Sequence, residues 1–192
     1  MNKIKLQSSE EKLGGAAQWA LDHILEKKRK TLFYSQFLES GVLAFASILD
    51  EYDIPYVKIT GKETKDQRAK AVERFNTDPT ILVFLISKAG GEGLDLKGVR
   101  DVILFESSWN PATEEQVIAR ADRYKSHADL PISQRNVSVY RLLLVKPPEA
   151  EAWDELPSVD SYLYNLAQEK GIKIKGYMKI LAKGSIENNP TC

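Results

Sequence analysis

The chain of 192 residues contains one cysteine, and that one, Cys192, is its last residue. A single thiol excludes an internal disulfide framework and a cysteine-based metal site, and no metal ligand set is expected elsewhere. Long apolar runs are missing too. The longest, Ile81–Ile86, is strand-sized, against the roughly 20 residues needed to cross a bilayer. The opening Met1-Asn2-Lys3-Ile4-Lys5 has neither the apolar segment nor the small-residue cleavage site of a signal peptide. There is no excess of charge of either sign: Lys plus Arg number 27, as do Asp plus Glu, so the formal net charge is zero. A domain that holds nucleic acid by bulk electrostatics is usually basic. Any such contact must come from a local patch or be shared with another domain. No G-x-x-x-x-G-K-[ST] loop occurs, and Gly91-x-Gly93 is followed by Leu96 where a dinucleotide fingerprint requires its third glycine. Asp154-Glu155 stands in an acidic loop rather than after an apolar strand, a poor setting for a magnesium-binding pair. The chain lacks the parts that hold a nucleoside triphosphate unaided.

What remains is an ordinary globular composition, 43% hydrophobic and 28% charged, with strands and helices in alternation. Ser8 and Glu11 fit a capping box for a helix over 9–28, with Leu21, Ile24 and Leu25 as its apolar stripe. The run Lys27-Lys28-Arg29-Lys30 reads as its solvated basic end. Thr31 to Ser35 predicts a buried strand, and Val42, Leu43, Phe45, Ala46 and Leu49 a helix over 39–51. Tyr56 to Thr60 predicts a strand and Gly61 a turn. Thr64 and Gln67 make a capping box for a helix carrying Ala69, Val72 and Phe75. The continuous run 81–86 suits a parallel strand covered on both faces. Val102 to Phe105 is another strand, Asn110-Pro111 caps a helix to about Tyr124, and Val137 to Val145 is a final strand. Past Lys146-Pro147-Pro148 an acidic loop leads to a helix stopped near Gly171 and a second short helix over 174–181. The pattern predicts an α/β sandwich with a mostly parallel sheet over 1–146, and a linker with a helical appendage packed on it over 147–192.

Two segments carry chemistry. The turn Ser87-Lys88-Ala89-Gly90-Gly91-Glu92-Gly93-Leu94-Asp95-Leu96 offers glycines, a hydroxyl, an ammonium and a carboxylate at the carboxyl end of a strand, where open α/β sheets gather ligands and glycines let main-chain N–H groups approach phosphate. The plain alternative is a tight turn. In the helix after Asn110, Gln116, Arg120 and Arg123 fall at i, i+4 and i+7, on one face, with Val117, Ile118 and Ala121 opposite. Paired guanidiniums suit phosphate oxygens bidentately. The plain alternative is a solvated face.

Taken in order, these pieces resemble the C-terminal RecA-like lobe of superfamily-2 helicases, most closely the Swi/Snf-type branch. Lys30-Thr31-Leu32-Phe33-Tyr34-Ser35-Gln36-Phe37 is similar to motif IV. Gly61 through Arg68 to Phe75-Asn76 resembles the stretch that follows it, and Ser87 to Leu96 resembles motif V. Trp109-Asn110-Pro111 with Gln116, Arg120 and Arg123 resembles motif VI and its lead-in, and Val139-Tyr140-Arg141-Leu142 the strand behind it. The resemblance covers about residues 20–145 in unbroken order. Two departures, Asp95-Leu96 for Asn-Leu and Tyr124-Lys125-Ser126 for Ile-Gly-Gln, are more like helicase-type NTPases of large DNA viruses and phages.

The resemblance implies a RecA-like three-layer fold and half of an ATP-dependent helicase or translocase on nucleic acid, DNA or RNA, with DNA favoured. ATP with Mg²⁺ would be bound mainly by a first lobe, in the same full-length chain or a separate one. Arg120 and Arg123 would be arginine fingers, with Gln116 positioning the helix or the phosphates. Gly91, Gly93 and Asp95 would lie at the nucleotide, Asp95 on its ribose. Ser35, Gln36, Thr60, Gly61, Ser87 and Lys88 would hold one strand by its backbone, and His127, a loop histidine expected at the surface, could reach nucleotide or DNA. No membrane partner is expected, and the location is intracellular: cytoplasm or nucleus, or virion or infected cell for a viral protein. The alternative is a free-standing nucleotide- or nucleic-acid-binding module without motor activity. A Rossmann-type oxidoreductase is disfavoured by the missing glycine.

Overall fold

The computed structural model describes residues 9–90, 93–146 and 156–184. Ser8 of the first capping box, Gly91 and Asp154-Glu155 lie outside them. Helix α1 (Ser9–Lys27) leads into β1 (Thr31–Ser35). A π-helical stretch (Leu38–Leu43) merges into α2 (Ala44–Glu51), followed by β2 (Tyr56–Ile59), α3 (Lys65–Thr77), β3 (Val83–Ser87) and β4 (Asp101–Leu104). Helix α4 (Pro111–Ala121), a 3₁₀ turn (Ile132–Gln134), β5 (Ser138–Arg141) and α5 (Val159–Lys183) complete the order.

The five strands form one sheet in the order β2-β3-β1-β4-β5, with every neighbouring pair parallel. Side chains alternate across it at the strand period of two. Phe33, Val83, Leu85, Ile103 and Phe105 face one core with Ala16, Ala17, Ala20, Leu21 and Ile24 of α1 and Val42, Phe45 and Leu49 of the second helical segment. Leu32, Tyr34, Phe84, Ile86, Val102 and Leu104 face the other, with Phe75 of α3 and Val117 and Ala121 of α4. Phe33 stacks on Phe45 at 4.3 Å, and Phe75 meets Phe84 edge-on at 5.0 Å. The three layers match the sandwich expected from the alternation of elements. In α1 Leu21 and Ile24 of the expected stripe are buried together with three alanines, while Leu25 is exposed.

Register fixes the strand limits. Val83 pairs with Thr31, the first residue of β1, so Ile81 and Leu82 precede the strand proper, with Leu82 O accepting from Thr31 N at 2.7 Å. The last strand is four residues long, shorter than the apolar run 137–145, because β4 offers only four partners. Beyond it the chain is captured by the start of α5: Leu144 N donates to Asp160 Oδ2 (2.7 Å) and Ser158 Oγ to Leu144 O (2.5 Å). Helix α5 itself runs unbroken through Gly171 and Gly176, not as two helices. A glycine costs a helix only about 1 kcal/mol relative to alanine and blocks nothing sterically. Its first half meets α4 and the β4–α4 loop: Ala167 is buried, Gly171 faces Pro111, and Lys170 Nζ lies 4.4 Å from the Trp109 ring centroid.

The cluster Lys27–Lys30 is not a solvated helix end throughout. Arg29 donates from Nε and Nη2 to the fully buried Asp101 at 2.6 and 2.7 Å, and His23 Nε2 lies 3.0 Å from the same carboxylate. Lys30 Nζ donates to Phe75 O (2.6 Å) and sits over the Phe75 ring. Lys27 pairs with Glu26 at the surface. Among the described residues no helix is long and apolar enough to cross a membrane.

Candidate nucleotide and strand site

Because all strands are parallel, the ends of β1, β2, β3 and β4 deliver their following loops to one edge of the sheet. Helix α4 starts there. Asn110 Oδ1 accepts from Ala112 N at 3.1 Å and Pro111 occupies the first turn, the local arrangement its sequence dictates. Glu114 anchors the helix, accepting from Arg141 Nε at 2.7 Å and from Ser108 N at 3.2 Å. The sequence gives Glu114 and Arg141 no visible reason to pair, 27 positions apart.

The helix ends at Ala121, with Asp122 already outside helical geometry. Arg123 therefore follows the helix instead of sharing the full i, i+4, i+7 face. Its guanidinium still reaches the turn after β3: Nη1 donates to Leu94 O at 3.1 Å and lies 3.6 Å from Asp95 Oδ1. Gln116 is exposed and Arg120 is half-buried. Arg120 Nε is inaccessible and has no hydrogen-bond partner among the described residues. The segment after Arg123 is latched from behind. Ser126 Oγ accepts from Arg123 N (3.2 Å), and Gly98 N donates to Ser126 O (2.8 Å). His127 is buried, not surface-exposed, with Nε2 at 2.6 Å from Val99 O and Nδ1 at 2.8 Å from Ser126 Oγ. A carbonyl only accepts, so Nε2 carries a proton. This histidine holds the loop and offers nothing outward.

The β3 turn is stapled to α3. Arg68 Nη2 donates to Gly90 O (2.9 Å), Asn76 Nδ2 to Asp95 O (2.9 Å), and Lys97 N to Asn76 Oδ1 (2.8 Å). A cleft of about 840 Å³ opens between them, lined by Lys65, Arg68, Val72, Asn76, Gly93 and Asp95 among others. Gly93 has φ +70, and Asp95 points outward with its side chain 68% exposed. At Gly90 a Cβ would fall 2.1 Å from Ile59 O. Glycine here lets the turn press its backbone against the end of β2.

The six strand-gripping candidates separate into two groups. Ser35 is fully buried, its hydroxyl donating to Glu106 and lying 3.0 Å from Phe37 O, and Ser87 is buried with Oγ donating to Thr60 O at 2.8 Å. Both hydroxyls join loop to loop. Gln36 and Thr60 are half-buried, and Gly61 and Lys88 are exposed. Gln36 N donates to Glu106 Oε2 (3.2 Å). Burial first, then the charges of Glu106 and Glu114, push the Tyr34 phenol up to about 12, and its hydroxyl has no partner among the described residues.

A parallel sheet flanked on both faces by helices, with Arg123, just past the end of α4, reaching the turn behind β3, has the architecture of a RecA-like helicase lobe. Residues 16–125 match the family described as Helicase conserved C-terminal domain, and the chain belongs to that family, in superfamily 2. Over 169 residues it is 36% identical to a protein of Acanthamoeba polyphaga mimivirus, L538, whose name provisionally assigns it as an ATP-dependent RNA helicase. That alignment takes in 88% of this chain and 37% of the relative, so the chain spans little more than a third of the relative's length. Among solved structures it is similar to the C-terminal part of the Fun30 ATPase domain, with TM-score 0.63 and 23% identity, over 79% of this chain and 44% of that one. It is also similar to domain 2 of the Mss116p DEAD-box helicase bound to an RNA duplex, with TM-score 0.55 and 20% identity, over 72% of this chain and 52% of that one. At these identities the two structures establish the fold.

Proposed function

We propose that the chain is the second lobe of an ATP-dependent motor that moves along nucleic acid, and that residues 1–146 form the lobe and 147–192 a linker and appendage. The carrying observation is the Arg123 guanidinium seated against Leu94 O and Asp95, where α4 and the β3 turn meet. Arg120, whose Nε has no partner among the described residues, precedes it on α4. ATP with Mg²⁺ is held mainly by a first lobe and closes against this face. Arg120 and Arg123 then meet the negative charge that grows on the transferring phosphoryl group, with Gln116 positioning the helix or the phosphates. Asp95 accepts from the ribose, and Gly91 and Gly93 let the chain pass close to the nucleotide. An arginine finger contributes about 10³–10⁵ in turnover. Arg123 must leave Asp95 to act, and an exposed ion pair is worth only about 0–1 kcal/mol, so the exchange is cheap.

On the same edge, Gln36, Thr60, Gly61 and Lys88 take one strand by its phosphates, with Ser35 and Ser87 bracing their loops from within. Such contacts position without reading sequence and serve DNA and RNA alike. The Swi/Snf-type likeness favours DNA. The name of the mimivirus relative and the RNA held by Mss116p domain 2 make RNA the competitor to test. Matched DNA and RNA oligonucleotides competing for the complete protein decide between them. In that protein, Arg123→Ala is expected to abolish hydrolysis; retained turnover refutes the finger assignment.

A further inference from the structure

The loop from β2 to α3 already holds an anion, and it is the protein's own. Thr60 N donates to Glu63 Oε1 and Oε2 at 3.0 and 2.9 Å, Thr60 Oγ1 to Oε1 at 2.9 Å, and Gly61 N to Oε2 at 2.8 Å. Three neutral donors thus converge on one carboxylate, and no cation lies within ion-pair distance of Glu63 among the described residues. Successive main-chain N–H groups of this kind form an anion-binding concavity. A carboxylate and a phosphodiester each present two oxygens on one atom with a single negative charge, so the same donors fit both.

The cradle does not depend on its occupant. Ser87 Oγ holds Thr60 O from behind, and Gly61, at φ +95, packs against Ala89, where a Cβ would come within 2.6 Å of the alanine Cβ. Helix α3 is capped independently. Gln67 N donates to Thr64 Oγ1 at 3.3 Å and Thr64 N to Gln67 Oε1 at 2.9 Å. Glu63 lies between these two fixed points, half-buried, with one residue, Lys62, separating it from the cradle. The next loop presents Lys88, exposed beside Ala89, as a cation for an incoming anion. The contrast with Glu106 is instructive. It also accepts from a loop amide, Gln36 N, and from Ser35, but it is 8% exposed and is locked in place. Glu63 is the carboxylate that can be exchanged.

We propose that Thr60 and Gly61 form a phosphate-binding site that Glu63 holds shut as an internal substitute, displaced when a strand phosphate arrives. This rests on the strand-gripping reading of that loop and deepens it. A site open for only a fraction of the time binds weaker by that fraction, so removing Glu63 is expected to tighten phosphate binding by roughly fivefold or more.

The test uses the 192-residue chain labelled with ¹⁵N and titrated with inorganic phosphate, with ionic strength held constant by chloride. Glu63→Ala and Glu63→Gln should show saturable shifts of the Thr60 and Gly61 amide signals at phosphate concentrations that leave the parent chain unmoved. Asp66→Asn, which removes one exposed negative charge from the first turn of α3, should behave as the parent. Amides that stay silent in both Glu63 variants overturn the proposal. So does an equal response in Asp66→Asn, which would make the gain bulk electrostatics, or a collapse of the loop signals in both variants, which would make Glu63 a structural clip. Anisotropy with a fluorescent single-stranded oligonucleotide separates the two readings. Phosphate entering the opened cradle without tighter oligonucleotide binding leaves the cradle standing and removes the strand from it.

Discussion

Arg123→Ala separates a finger from a strut because its two costs differ by orders of magnitude. In the structure Arg123 makes one hydrogen bond from its guanidinium, to Leu94 O, and one ion pair with Asp95, in which the two side chains are 45% and 68% exposed. A hydrogen bond contributes about 0.5–1.5 kcal/mol net and an exposed ion pair about 0–1. The substitution should therefore cost this domain roughly 1–2 kcal/mol. For a domain of this size, each kcal/mol moves the melting temperature by about 2–4 °C, so a fall of roughly 2–8 °C is expected. Catalysis should suffer far more. A loss of about 10³ in turnover corresponds to roughly 4 kcal/mol of barrier, with 10⁵ the upper expectation. Phosphate release by the complete two-lobed protein at saturating nucleic acid gives one number, and a thermal melt of the 192-residue chain gives the other. Arg123→Lys is expected to leave turnover near the alanine level, since an ammonium keeps the charge but loses the planar fork. A melting temperature lowered by more than about 10 °C, with turnover within tenfold of the parent, refutes the reasoning and makes Arg123 a structural residue.

Other outcomes follow from the same geometry. Asp101→Ala strands Arg29 and His23 around a vanished buried carboxylate and should cost about 3–5 kcal/mol. A loss below 1 kcal/mol by urea titration refutes the anchoring role. Tyr34→Phe deletes a buried hydroxyl that has no partner among the described residues and should leave stability unchanged or raise it by about 1 kcal/mol. The phenol is raised from 10.0 to about 12 in the folded state, so the parent's share of stability from it is full below pH 10 and is lost as pH rises towards 12. The advantage of Tyr34→Phe should accordingly widen over that window, and a gap that narrows contradicts the burial of the phenol. The 192-residue chain alone should release no phosphate from ATP, because it carries no Walker A loop; steady turnover by pure protein overturns the two-lobe scheme.

The parts of this fold legible in sequence are those fixed by near neighbours. Thr64 and Gln67 announce their capping box because its bonds span three residues, and Asn110-Pro111 announces α4 for the same reason. The core strands are legible because parallel strands covered on both faces need unbroken apolar runs. What sequence misplaces is set by partners far along the chain. Arg29 and Lys30 look like solvent-facing cations until Asp101 and Phe75, 72 and 45 positions away, come to meet them. Helix α4 looks long enough to include Arg123. Its end is fixed instead by Ser126 and His127 latching onto Gly98 and Val99. Gly171 looks like a stop because glycine often ends a helix, yet here α4 lies alongside and the turn continues. The candidate site was legible in its composition and less so in its state. Ser35 and Ser87 were visible as strand-end hydroxyls, but only folding shows that they face inward.

The fully parallel sheet gives the molecule two unlike rims. At the amino ends of the strands, the fully buried Asp101 ties His23 of α1 and the half-buried Arg29 to β4. At the carboxyl ends, buried bonds such as Ser35 with Glu106 brace the loops from within, and exposed or half-exposed groups, Arg123 with Asp95 and Glu63 with Thr60 among them, make the outer bonds. Sequence change should therefore be read by rim. Substitutions at the first should surface as poor yield or early melting. Substitutions of the exposed groups at the second should leave a well-folded protein with altered binding, so those positions are where variation can accumulate without loss of the fold.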